Sequence, residues 1–163
     1  MIWIYADPHY YHENIIAYEN RPFNTLEEMH KTMINNHNHM IKKKDKVFIL
    51  GDFSFGNKEQ TTEIVSKLNG YKILILGNHD KARSRKWWLD TGFNEVSIYP
   101  IIVKDFFILS HGPVYISKSM PYINIHGHLH SNILNNQQYI NVGLDCTNFY
   151  PKNLDFIIYS YKD

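Results

Sequence analysis

Tyr71-Lys72-Ile73-Leu74-Ile75-Leu76-Gly77-Asn78-His79-Asp80 is the stretch whose reading decides the fold. Its first six residues make an apolar run with the length and composition of a buried strand. Its last three place an amide, an imidazole and a carboxylate directly after that strand, at the C-terminal rim of a sheet, where open α/β proteins build their sites. Taken alone, Asn-His-Asp is also ordinary loop chemistry, because Asn and Asp tolerate left-handed backbone and bond their own main chain. The rest of the chain decides between the two.

Upstream the same grammar occurs twice. Residues 2–5 predict a strand that ends at Asp7-Pro8-His9, where proline stops the strand and sets the chain direction. Residues 47–50 predict another, ending at Gly51-Asp52. Between them, Thr25-Leu26-Glu27-Glu28 is a capping-box signature, and Leu26, Met29, Met33, Ile34 and Ile41 recur at helical spacing, which predicts a helix over 25–41. A second helix is capped at Asn57-Lys58-Glu59-Gln60, carries Ile64, Val65 and Leu68, and stops at Gly70. Strand, helix, strand, helix, strand implies parallel pairing with right-handed crossovers.

Downstream, a third helix is predicted over 81–90, ending before Gly92. Short strands follow at 95–99, 101–103 and 106–109, with Lys104-Asp105 as a hairpin turn between the last two. The strand at 106–109 leads into Ser110-His111-Gly112-Pro113, and Ile123-Asn124-Ile125 leads into His126-Gly127-His128-Leu129-His130. Residues 138–142 and 156–161 read as two late strands that close the sheet.

At 163 residues and 44% hydrophobic composition, the chain is expected to form one domain over 1–163. The only cysteine is Cys146, and no basic-then-apolar leader is read at the start, so a reducing, cytoplasmic setting is expected. No apolar run approaches the ~20 residues that cross a bilayer. A net charge of +1 excludes the footprint of a dedicated nucleic-acid binder, so no stable nucleic-acid partner is expected. Ten histidines are the compositional oddity; His30, His37 and His39 fall in a polar helical stretch and receive no role.

Five predicted strands thus end in Asp, Asn or His, giving seven candidate ligands: Asp7, His9, Asp52, Asn78, His111, His128 and His130. Oxygen and imidazole donors without thiolate suit Mn, Fe, Ni, Co or Zn and argue against a structural cysteine-zinc site. Seven donors are too many for one catalytic ion and fit two, which a shared carboxylate holds ~3.5–4 Å apart.

In these motifs the chain resembles the calcineurin-like metallophosphoesterases. The family pattern D-x-H, G-D, G-N-H-[DE], H and G-H-x-H is matched in order by Asp7-Pro8-His9, Gly51-Asp52, Gly77-Asn78-His79-Asp80, His111 and Gly127-His128-Leu129-His130. The resemblance implies an α/β fold, a four-layer αββα sandwich of two mixed β-sheets flanked by helices. It implies two divalent ions, manganese first among the candidates. One would be held by Asp7, His9, Asp52 and His130, the other by Asp52, Asn78, His111 and His128, with Asp52 as the bridge. His79 would face the reacting phosphate as general acid or charge stabiliser, with Asp80 orienting its ring. The implied activity is hydrolysis of phosphodiesters, with monoesters second, of small molecules or nucleotides, through a hydroxide bridging the metals.

Departures narrow the likeness. Asp52 is followed by Phe53-Ser54-Phe55-Gly56, without the acidic-arginine-glycine element of the protein phosphatases, and 163 residues leave no room for the capping domain of the double-strand-break nucleases. What remains looks like the small bacterial and phage phosphoesterases, whose opening motif H-x-x-H-x-N-I-I is matched by His9, His12, Asn14, Ile15 and Ile16. His12, Arg21 and Arg83 become candidate substrate contacts. His126 reads as a packed or supporting imidazole, and Trp87 and Trp88 as rim and core of the third helix. The competing readings are a nuclease on single strands and a catalytically silent binding module of the same fold.

Overall fold

The computed structural model describes residues 1–161. Strands β1 (Ile2–Tyr5), β2 (Lys46–Ile49), β3 (Tyr71–Ile75) and β4 (Glu95–Ser97) run parallel in the order β4-β3-β2-β1, and β9 (Lys152–Asn153) closes that sheet antiparallel to β1. A second sheet has the order β5 (Ile101–Val103), β6 (Phe107–Leu109), β7 (Ile123–His126), β8 (Tyr139–Asn141); its first pair is antiparallel and the other two are parallel. Two mixed sheets with helices against them form the expected sandwich.

The unbroken apolar runs of the first sheet follow from burial on both faces, where a period-two alternation into polar residues has no place. Trp3, Tyr5, Val47, Ile49, Leu74 and Leu76 share one core with Met29 and Met33 of α2 (Leu26–Met40) and Ile64 and Val65 of α3 (Lys58–Lys67). The alternate residues Ile4, Phe48, Leu50, Ile73 and Ile75 share the other core with Phe107, Leu109, Ile123 and Ile125 of the second sheet. The polar strand ends are therefore delivered at the edge of two packed layers.

The caps behave largely as the sequence predicts. Thr25 Oγ1 accepts from the Glu28 N–H at 3.1 Å, although the Glu28 carboxylate accepts from Asn24 rather than completing the box. At α3 both bonds between Asn57 and Gln60 form. Lys104 and Asp105 adopt φ of 53° and 55° at the turn joining β5 to β6.

Two expectations are corrected. The helix expected over 81–90 is a 3₁₀ turn, Asp80–Ala82, followed by α4 (Arg85–Asp90), which restarts because Ser84 caps it by accepting from the Trp87 N–H. The late strand expected over 156–161 is part of α5 (Leu154–Ser160). Asn153 caps α5 through the Phe156 N–H, and Leu154 and Ile158, one helical turn apart, are the residues it buries. A short helix, α1 (Ile15–Tyr18), lies where the opening motif ends.

His37, expected to have no role, is buried and joins β1 to α2: Nδ1 meets the Tyr5 hydroxyl at 3.2 Å and Nε2 meets the Asn69 carbonyl at 2.9 Å. Burial holds its pKa down at about 4, from 6.5, with the Asn69 carbonyl opposing. The unfolded chain therefore binds the proton first as pH falls, so this residue's contribution is intact above pH 6.5 and is lost between 6.5 and about 4. Urea denaturation at pH 7.5 and pH 5 should find the wild type about 2 kcal/mol less stable at the lower pH on account of this group. His37→Gln should lose that share of the pH dependence; an equal slope in both proteins would refute the assignment.

Candidate metal centre

Each donor leaves a strand at its C-terminal end, and neighbouring loops are tied to one another. The Asp7 N–H donates to the Gly51 carbonyl at 3.2 Å and the His9 N–H to the Asp52 carbonyl at 3.0 Å, so the loops after β1 and β2 run side by side. The His128 N–H donates to Asp7 Oδ2 at 2.7 Å, binding the second sheet to the first. Close approach needs glycine at three places here: a Cβ at Gly51 would strike His111 Nδ1 and the Gly77 backbone, one at Gly77 would strike Asp52 Oδ1, and one at Gly127 would strike the Ala6 side chain and Asp7 Oδ2. Five of the donor-bearing residues, Asp7, His9, Asp52, His128 and His130, have left-handed backbone with φ between 50° and 68°. Non-glycine residues hold that conformation only where the surroundings impose it, and such positions cluster at functional sites.

The side chains converge as two triads, Asp7, His9 and Asp52 in one, Asp52, His111 and His128 in the other, each with its donor atoms within 4.8 Å of one another. Asp52 belongs to both: its Oδ2 lies 3.6 Å from His9 Nε2 and 3.5 Å from His111 Nε2. His111 Nδ1 donates to the Leu50 carbonyl at 2.8 Å, which fixes the tautomer and leaves Nε2 a bare lone pair. That lone pair faces Asn78 Oδ1, also an acceptor in the plane of its amide, at 2.8 Å, with His128 Nδ1 at 3.1 Å.

Three observations test whether this donor set fits divalent cations. Asp7 Oδ1 and His9 Nε2 are buried without a hydrogen-bond partner, a rare and costly arrangement that a cation would relieve. Burial pushes the Asp7 carboxyl well up and the His9 and His111 imidazoles down, His9 also being repelled by Arg21, so both rings are neutral and offer lone pairs. The set contains oxygen and imidazole and no thiolate. The residues fit.

His130, from the second sheet, comes beside the first triad, its ring 5.0 Å from that of His9. Its Nδ1 donates to Asp145 Oδ2 at 3.0 Å, leaving Nε2 as the donor atom. Asp145, which sequence reasoning missed, is gripped in turn by Arg21 through Nε at 2.9 Å and Nη2 at 3.0 Å. Burial would raise the Asp145 carboxyl, but the His130 hydrogen bond and the Arg21 charge hold it below its ordinary value. Arg21 also donates to the Asp7 and Pro8 carbonyls, at 2.8 and 2.9 Å. It is thus a buried clamp on the first loop, with no donor left to meet a substrate, contrary to expectation.

Asp80 also departs from its expected role. Its carboxylate does not touch the His79 ring; it accepts from the backbone N–H of Asp52 at 2.7 Å, Phe53 at 3.0 Å and Gly77 at 2.8 Å, locking the second and third loops together. Burial raises its pKa to about 7, against the pull of those three amides. The His79 side chain is 51% exposed, with Nε2 3.9 Å from Asp52 Oδ2, and its own N–H donates to Asp52 Oδ1. His12 comes beside the centre, Nδ1 to Nδ1 with His9 at 3.0 Å and stacked on Phe55. Arg83 donates to the Ser54 and Gly56 carbonyls and lies over the Trp87 ring. Trp88 is core, and His126 is fully buried with Nδ1 on the Gly127 carbonyl.

A family model described as calcineurin-like phosphoesterase matches residues 1–159. An uncharacterized protein of Methanocaldococcus jannaschii is 35% identical over 96% of this chain and 89% of its own length. The crystal structure of a protein of unknown function from Aquifex aeolicus is similar with a TM-score of 0.77 and 26% identity, over 98% of each chain. Among the described residues no helix is long and apolar enough to cross a membrane. With its motifs folded into one cluster of donors and the match running through nearly the whole chain, the protein belongs to the calcineurin-like phosphoesterases, a family of metal-dependent hydrolases of phosphoesters.

Proposed function

We propose that the protein hydrolyses phosphodiesters of small molecules or nucleotides with a pair of divalent ions, manganese being the first candidate. Asp7, His9, Asp52 and His130 would hold one ion, and Asp52, Asn78, His111 and His128 the other. The single observation that carries this reading is the position of the Asp52 carboxylate, shared by two triads of donors. When bound, such ions supply Lewis acidity toward phosphoryl oxygens and acidify water toward neutral pH. The chain's own residues do the rest. Arg21 and Asp145 orient His130; Asp80 holds the loops that carry Asp52 and Asn78. His79, solvent-facing and beside the shared carboxylate, is placed to protonate the departing oxygen.

Protein purified without chelator should carry about two ions per chain, as the shared carboxylate requires. It should hydrolyse bis(p-nitrophenyl) phosphate faster than p-nitrophenyl phosphate when supplied with Mn, Fe, Ni, Co or Zn. His79→Ala should keep both ions and lose on the order of a hundredfold in kcat, the usual worth of a positioned proton donor. A metal-loaded wild type that turns over neither ester would sink the reading and leave a binding module; unchanged kcat in His79→Ala would remove that residue from the chemistry.

A further inference from the structure

Beside the second triad lies a hollow of about 290 Å³, lined in part by Asn78, His111 and His128. That volume is at the lower end of small-molecule sites, room for a single ring and not for an extended chain. Its lining also includes Ile98, Tyr99 and Pro100, the turn that leads from the first sheet to the second. Tyr99 is 70% exposed and Ile98 45%, so much of their apolar surface is uncovered. The turn is nonetheless held in shape, because Ser97 Oγ donates to the Tyr99 carbonyl at 2.7 Å and accepts from the Tyr99 N–H at 3.2 Å. Apolar and aromatic walls combined with a few polar groups at one end are the makeup of a small-molecule subsite.

The remaining lining residue with a charge is Lys81. Both arginines near the centre are committed, Arg21 to Asp145 and two carbonyls, Arg83 to two carbonyls and the Trp87 face. Lys81, by contrast, is exposed, and its ammonium enters no hydrogen bond or ion pair among the described residues. An unpaired cation next to a phosphoryl site contributes a mobile point charge, three donors on a flexible stem.

We infer that this hollow is a substrate subsite that takes the planar ring of a ring-bearing phosphoester against Tyr99, with Lys81 as the side-chain cation that meets its phosphoryl oxygens. The inference rests on the preceding reading of the metal centre, and it names the class of ester that centre would serve. It also moves the phosphate contact from the two arginines to a lysine that no motif marks.

The test is calorimetric binding of inorganic phosphate, methylphosphonate and phenylphosphonate to protein purified with its metals. The wild type should bind phenylphosphonate about tenfold tighter than methylphosphonate, the worth of one partly covered ring. Tyr99→Ala should bring the two phosphonates to equal affinity and leave inorganic phosphate unchanged. Lys81→Met should weaken all three about tenfold, as loss of one charge-assisted contact does, and Lys81→Arg should restore most of the loss. Metal content should be the same in all four proteins. Equal affinity of the two phosphonates in the wild type, a ring preference that survives Tyr99→Ala, or unchanged phosphate binding in Lys81→Met would each overturn the inference. Failure of the wild type to hydrolyse any phosphoester would count against the metal-centre reading, whereas a missing ring preference in an active enzyme would count against the subsite alone.

Discussion

Replacing Asp52 by asparagine should abolish hydrolysis, at least a thousandfold in kcat, and strip the protein of one or both ions while leaving the fold intact. The expectation follows from geometry. Asp52 Oδ1 accepts the His79 N–H, and Oδ2 is the atom that stands between His9 Nε2 and His111 Nε2. Asparagine keeps one carbonyl oxygen for the His79 amide and thereby puts its NH₂ where the shared donor was. That group cannot ligate a cation, and the centre loses one of its two buried carboxylates. Folding should not suffer, because in the metal-free chain burial, and after it Asp52, oppose ionisation of Asp7, and the substitution removes the Asp52 share of that cost. The melting temperature of chelated Asp52→Asn should match or exceed that of chelated wild type. Added manganese should raise the wild-type value by clearly more than the variant's, since a ligand stabilises the folded state only as far as it binds it. A variant that still shows the metal-induced shift and full turnover would end the case for a shared carboxylate.

Asp80→Ala should be the most destabilising single change in the chain's loops. Three buried amides, those of Asp52, Phe53 and Gly77, lose their acceptor at once. A buried donor left unpaired costs about 1–3 kcal/mol, so the sum is roughly 3–6 kcal/mol even with partial rescue by water. That is a large part of the ~5–15 kcal/mol by which a domain is stable. Asp80→Asn should fall between, since its one carbonyl oxygen can serve some of the amides while its NH₂ confronts another donor. Urea denaturation of the metal-free proteins measures both. Wild-type stability in Asp80→Ala would show that the three amides find other partners, and the loops would then owe their shape to something else.

Much of the architecture was legible because it depends on local pattern. Apolar runs 47–50 and 71–76 are continuous since both faces of the first sheet are buried, and a run of that kind bounded by glycine can be read without knowing its neighbours. The caps at Thr25 and Asn57 were legible for the same reason. The segment 156–161, misread as a strand, shows the limit: Phe156, Ile157, Ile158 and Tyr159 have strand propensity, and the Asn153 cap with burial of Leu154 and Ile158 selects the helix Leu154–Ser160. The donors were visible as motifs, but their supports were not. Arg21 and Asp145 lie 124 positions apart, and nothing near either one announces the pair. Asp80 was assigned to its sequence neighbour His79, whereas its carboxylate spends itself on backbone from another loop.

The left-handed corners at Asp7, His9, Asp52, His128 and His130 impose a lasting constraint on how this protein can be improved. Each such corner costs on the order of 1 kcal/mol or more, and glycine is the residue that would relax it. At these five places glycine would also delete a donor, so the tension cannot be bred out without losing the centre. Asn20, Lys104 and Asp105 have the same backbone sign and contribute no donor to either triad. Any laboratory lineage selected for heat tolerance has its freedom there, at the periphery, and none where the chemistry resides.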